Sequence, residues 1–407
     1  MYPNFYFIFK EWFGLELPGL KLINSFGFFV ALSFIAANLA MSSELKRKFK
    51  LGLLGVGKEV KTFKGAAFPK GDYISSLITG FIIGFKFVPM LFDFSKVEAN
   101  PQDYLLSLQG SLIWGLLVAA LFYGFTYWQD KKQRLDTPIE SINIVDHSAF
   151  MGELTMAAFI GGLLGAKFFH ILENWSDFMK NPMDAIMSFS GLTFYGGLIV
   201  GGIAVLWVAK KKGIPFLHML DVGGPAMMLA YGTGRIGCHV SGDGDWGIVN
   251  TLPKPNWMSA LPDWMWSYNY PNNVNKVCNP YVEGDPLFTS NMFCDFNQTP
   301  YLVANVFPTP LYEAIVCISL FFILWILRKK LKFAGLLFGI YLMMNGLERF
   351  LIEKIRVNTI MDFIGMKVTQ AEIISTSLFL LGLILVIYSI KKKVPAFNSQ
   401  NIGTTVE

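Results

Sequence analysis

The chain has 407 residues, 53% hydrophobic and only 15% charged, with a mean hydropathy of +0.45. That balance excludes an ordinary soluble enzyme, in which about a quarter of residues are charged. The net charge of +5 is divided among short basic runs between apolar stretches, which is no nucleic-acid footprint.

Apolar runs near 20 residues recur, each long enough to cross a hydrocarbon core about 30 Å thick. The alternation of a membrane barrel is absent from the sequence. The expected fold is therefore all-α: a polytopic integral membrane helical bundle of about nine transmembrane helices with a small extracytoplasmic insertion.

The chain opens with MYPNFYFIFKEWFGLELPGLK, aromatic and broken by Pro18. It lacks the basic start and small-residue cleavage site of a secretory signal and reads as an interfacial segment with Trp12 at headgroup level. Together with the first span (22–42) and a basic loop it makes up 1–73. A hairpin of two spans (74–93 and 109–127) occupies 74–127. Spans at 149–171, 192–209 and 217–236 lie within 128–247, the first part of a membrane core. The insertion, 248–306, is rich in Pro, Asn, Trp and Tyr. Its Cys278 and Cys294 admit either a disulfide or two free thiols, and spacing alone does not choose. Spans at 308–327, 333–352 and 371–390 complete the core within 307–393. The tail, 394–407, reads as disordered.

With the N-terminus outside, 21 of the 34 lysines and arginines fall in the inner loops and nine in the outer segments. This asymmetry predicts an outer N-terminus and a cytoplasmic C-terminus. Four basic residues remain in the spans: Lys86, Lys167, Arg235 and Arg349. Charge there costs roughly 2.5–3.5 kcal/mol on insertion scales and normally faces a partner or cavity. Lys86 reads as structural; Arg235 and Arg349 stand among other polar groups.

Three clusters carry the candidate chemistry. In GLTFYGGLIVGG, Tyr195 offers a hydroxyl beside Gly196 and Gly197, which allow close approach of either a helix or a ligand. In YGTGRIGCHVSGDGDWG, Arg235, His239 and Asp243 stand among glycines that predict irregular backbone after residue 232. Exposed amides there, with Arg235, suit a phosphate. Asp221 lies fourteen residues before Arg235, about 21 Å along a continuous helix. That is too far to pair directly, so Asp221 either has another partner or lies near the inner boundary as a cap. In NGLERFLIEKIR, Arg349, Glu353 and Arg356 share one helix face at i, i+4 and i+7. Cys238 is either a reactive thiol or a small packing residue; Cys317 reads as core.

Taken together, GLTFYGGLIVG, GRIGCHVSGDGDWG, PTPLYEA and RFLIEKIR resemble, in order and spacing, the bacterial prolipoprotein diacylglyceryl transferase family. GAKFFHILENW and TQAEIIS extend the likeness to roughly 150–390 and the first span. The resemblance implies a transfer of diacylglycerol from phosphatidylglycerol to the lipobox cysteine thiol in the signal peptide of a prolipoprotein. Glycerol 1-phosphate leaves, no metal or cofactor takes part, and the site is the bacterial cytoplasmic (inner) membrane. It further implies that Arg235 and Arg349 hold the phosphate, with Gly196, Gly197, Asp221, Glu353 and Arg356 around the substrate. Tyr195 stands where the family usually has histidine, Cys238 at a usual asparagine and Asn345 at a usual tyrosine. His239 and Asp243 are then the candidate proton acceptors, with Tyr195 positioning the lipid. The alternative is a non-catalytic paralogue that binds phospholipid or a protein partner through the same cavity; an ion-path transporter lacks polar residues across the span.

Overall fold

The computed structural model describes residues 1–54, 58–92, 104, 107–135, 137–187, 193–275, 304–358, 360–363 and 365–396. Cys278, Cys294 and the tail from 397 lie outside the described residues. The chain is mostly helical, and among the described residues six helices are long and apolar enough to cross a membrane.

Each expected span coincides with a helix. After the short α1 (Phe5–Phe13) comes α2 (Ser25–Lys50), whose Asn24 side chain caps the amides of Phe26 and Gly27. The order continues with β1 (Lys58–Lys64), α3 (Lys70–Ile82) and α4 (Leu112–Gln133). Then come β2 (Ile139–Val145), α5 (Met151–Glu173), and the short α6 (Trp175–Lys180) and α7 (Pro182–Met187). The helices α8 (Phe194–Lys211), α9 (Phe216–Ser241), α10 (Thr309–Leu327) and α11 (Leu336–Glu353) follow. The hairpin β3 (Ile360–Phe363) and β4 (Met366–Thr369) leads into α12 (Gln370–Lys392). The helices α8, α9 and α11 are not among the six.

The chain divides into two compact units. One comprises 14–22 and 57–145, so the expected helical hairpin brings its flanking segments with it. Within it, β1 and β2 pair antiparallel from Lys58 opposite Val145 to Lys64 opposite Ile139. Its α3 is prolonged by a π-helical turn, Ile83–Phe87, and a short segment, Val88–Phe92. Lys86 on that turn donates to the carbonyls of Tyr104 (2.7 Å), Gln109 (2.8 Å) and Ser107. It is a structural clasp, as its sequence context suggested. The all-α bundle carries two small antiparallel strand pairs, β1 with β2 and β3 with β4, beside its helices.

The other unit holds α1, α2 and α5 to α12. Ala226 and Met228 of α9, Cys317, Phe321 and Leu324 of α10, and Tyr341 of α11 form one buried core with Ala40 of α2. Cys317 is thus a core residue, and its thiol is free. Leu45, Met151, Leu154, Ala209 and Met219 build a second core at the opposite end of α9. Outward faces are apolar, with Leu39, Leu164, Ile203 and Ile384 among many exposed residues, as a bilayer solvent requires.

The glycines after 232 do not break α9, contrary to the expectation of irregular backbone. The helix runs through them to Ser241 and ends in a left-handed cap at Gly242, φ 64°. The reason is packing: a Cβ at Gly232 would stand 2.9 Å from the Ile318 side chain, and one at Gly237 2.8 Å from Phe29. The glycines let α10 and α2 approach closely.

Candidate active site

A buried ionic cluster forms where the end of α9, the start of α10 and the end of α11 meet. Tyr231, Arg235 and Cys238 follow at i, i+4 and i+7 and so share one face of α9. Glu313 is the only charged residue of α10 and sits in its second turn. It is fully buried, and ion pairs and a phenol satisfy it. Its Oε2 lies 2.6 Å from Arg235 Nε and accepts from Tyr231 Oη at 2.6 Å. Its Oε1 lies 3.0 Å from Arg356 Nη1 and 3.6 Å from Arg349 Nη1.

Two further carboxylates complete the pairing. Glu353 lies 3.1 Å from Arg349 Nη2 and accepts from Asn358 at 2.5 Å. Asp245 bridges two guanidiniums: Oδ1 lies 2.5 Å from Arg356 Nη2, and Oδ2 contacts Arg235 Nη1. Its carbonyl accepts from Thr309 Oγ1 at 2.7 Å, which ties the loop after α9 to the start of α10. Burial pushes the Asp245 carboxyl up, yet Arg235 and then Arg356 outweigh it and hold it below the usual carboxylate range. Asp243 lacks such partners; burial first, then the charge of Asp245, raises it above that range. Glu348 faces Glu313 and the arginines from α11, and neither of its carboxyl oxygens has a hydrogen-bond partner among the described residues.

The structure thus brings together Arg235, Arg349, Glu353, Arg356 and, at the margin, Asp243. It does not bring Asp221 to them. Asp221 lies at the other end of α9, where it accepts from the amides of Gly335 (2.9 Å) and Phe338 (3.1 Å) at the start of α11. It also pairs with Lys48 at 3.7 Å. Asp221 thus has partners of its own, apart from the arginine cluster.

Gly196 and Gly197 serve helix contact. A Cβ at Gly196 would lie 2.5 Å from the Gly165 carbonyl, and one at Gly197 3.0 Å from that of Gly162, so they seat α8 on α5. Tyr195 is half-buried beside them. His239 is buried in an aromatic enclosure: it stacks on Trp264 and hydrogen-bonds Tyr270 Oη at 3.2 Å. The insertion builds this enclosure with Trp246, Tyr268 and Val306.

Sequence reasoning passed over Glu313, Asp245, Tyr231 and Glu348. A lone acid in the run TPLYEAIVCISLFFILWIL was the available signal for Glu313. Among the described residues, Cys238, Asp243 and Asp245 are the one close set of metal-type donors, within 4.8 Å of one another. Both oxygens of Asp245 already serve guanidiniums, whose charge opposes a cation there.

A membrane helical bundle with three arginines gathered at one end of its core, each paired with a buried acid, defines an integral membrane protein with an ionic cluster in its interior. The family described as prolipoprotein diacylglyceryl transferase matches residues 113–388, and the chain belongs to it. Relatives named phosphatidylglycerol--prolipoprotein diacylglyceryl transferase are similar at modest identity. The Streptococcus uberis protein is 29% identical over 245 residues, 59% of this chain and 79% of its own. The Actinobacillus pleuropneumoniae serotype 3 protein is 26% identical over 293 residues, 70% of this chain and 91% of its own. The Clostridium tetani protein is 29% identical over 204 residues, 50% of this chain and 67% of its own.

Proposed function

We propose that the chain transfers the diacylglyceryl group of phosphatidylglycerol to the lipobox cysteine thiol of prolipoproteins in the bacterial cytoplasmic membrane. The observation that carries this reading is the convergence of Arg235, Arg349 and Arg356 on Glu313 in a family of this activity. The reaction forms a C–S bond to the glyceryl carbon and breaks its C–O bond to phosphate. Glycerol 1-phosphate leaves with one more negative charge than the diester carried. Preorganised guanidiniums stabilise that developing charge, and the low-dielectric setting strengthens them.

Arg235, Arg349 and Arg356 hold the phosphate, and Glu353 fixes the Arg349 guanidinium. The thiol proton goes to Asp243, whose raised proton affinity suits an acceptor. His239 is the weaker candidate, since Tyr270 and stacked rings already engage it. Tyr195 positions the lipid. The nine long helices are nine crossings, with the N-terminus outside and the C-terminus cytoplasmic.

Expression in a host whose own transferase is depleted tests the reading, with lipoprotein modification followed by mass spectrometry. Thioether-linked diacylglycerol is expected. Its absence with well-folded protein would leave the non-catalytic paralogue in its place. Replacing Arg235 or Arg349 with alanine is expected to slow transfer about 100-fold or more.

A further inference from the structure

The arginines of the cluster are already neutralised. Arg235, Arg349 and Arg356 face Glu313, Glu353 and Asp245, and each of these carboxylates is ion-paired. A phosphodiester adds another anion, so a carboxylate has to give way. Side-chain exposure singles one out: 0% for Glu313, 1% for Glu353 and 33% for Asp245. Tyr231 and Asn358 also hold the two glutamates. Among the described residues, only the two guanidiniums donate to the Asp245 carboxylate.

The geometry of Asp245 is that of a substitute ligand. Its two oxygens are divided between Arg235 and Arg356, as two oxygens of a phosphate group would be. Its backbone is fixed independently, through Thr309 Oγ1 at 2.7 Å and through its own amide to Asp243 Oδ1 at 3.3 Å. Rotation about the Cα–Cβ bond therefore clears the space between the guanidiniums without unravelling the loop.

We propose that Asp245 is a built-in stand-in for the lipid phosphate: it holds the anion position between Arg235 and Arg356 until a phosphodiester spanning both guanidiniums displaces it. This rests on the proposed function and makes Asp245 a determinant of specificity. A tethered carboxylate competes at high effective concentration, so an anion reaching only one guanidinium does not dislodge it. It also gives those two arginines a second counter-ion beside Glu313 when no lipid is present.

The test measures phosphatidylglycerol bound to the full chain by native mass spectrometry, with phosphatidylcholine as the uncharged-headgroup control and acetate as competitor. Asp245→Asn is expected to hold phosphatidylglycerol about tenfold more tightly than wild type. Acetate is expected to compete in the variant and not in wild type. Unchanged or weaker phosphatidylglycerol binding in a variant that melts like wild type overturns the exchange. Asp245→Ser, also uncharged, decides in the same way if the asparagine variant does not fold. Loss of transfer activity in wild type alongside the expected binding shift overturns the catalytic reading alone. Wild-type transfer with no binding shift overturns the exchange alone.

Discussion

At Glu313, one carboxylate answers three guanidiniums and a phenol from inside the protein. Removing one partner of a buried ionic group strands the others, at about 3–5 kcal/mol. Glu313→Ala is therefore expected to lower the melting temperature markedly and abolish transfer. Glu348 behaves oppositely, because among the described residues its buried carboxyl has no hydrogen-bond partner to lose. Glu348→Leu is expected to stabilise the fold by about 1–3 kcal/mol, read as a higher melting temperature. Asp243 gives a pH signature. Its folded proton affinity is raised, so the folded state keeps the proton longer and loses stability as pH rises from the ordinary carboxylate range upward. Asp243→Asn removes that loss, so thermal melts are expected to favour the variant more at pH 7 than at pH 4. Arg235, Arg349, Glu353 and Arg356 were legible in the sequence because charge inside apolar runs is conspicuous. Asp245 was not, since the direction of a loop side chain follows from tertiary neighbours that no local pattern encodes.

Helix α9 shows where local reasoning stopped at the level of elements. Glycine costs about 1 kcal/mol in an exposed helix interior, yet here it admits neighbouring helices. A bulky residue at Gly232 or Gly237 is expected to cost about 1–3 kcal/mol by overpacking. Gly234 has nothing within 4 Å of a would-be Cβ. Gly234→Ala is thus the control, expected to melt within a degree or two of wild type or above it. The spans were legible because a long apolar run permits little else. The pairing of β1 with β2 was not, because KEVKTFK is polar and its partner IESINIV lies far along the chain.

Across the larger unit, buried charge gathers at both ends of the helices. Opposite the arginine cluster, Lys48 lies 3.7 Å from Asp221 and 3.2 Å from His218 Nδ1, while Glu44 lies 2.7 Å from Arg328. Apolar cores fill the length between. An odd number of crossings puts the chain's ends on opposite sides of the membrane. Reporter fusions at each end are expected to read an outer N-terminus and a cytoplasmic C-terminus; two ends on one side would remove a crossing from the proposed nine.

The pairing of Arg235 with Glu313 also bears on the order of synthesis. The chain is made from its N-terminus, so Arg235 reaches the membrane long before α10 delivers its counter-ion. Lys48 likewise precedes Asp221. An arginine without a partner weighs against membrane residence, and α9 is already among the less apolar of the long helices. Stable integration of α9 thus waits on α10, and the two enter as one event. In a nascent chain ending at residue 247, α9 is expected to stay open to a water-soluble thiol reagent at Cys238, whereas in one ending at residue 330 it is protected.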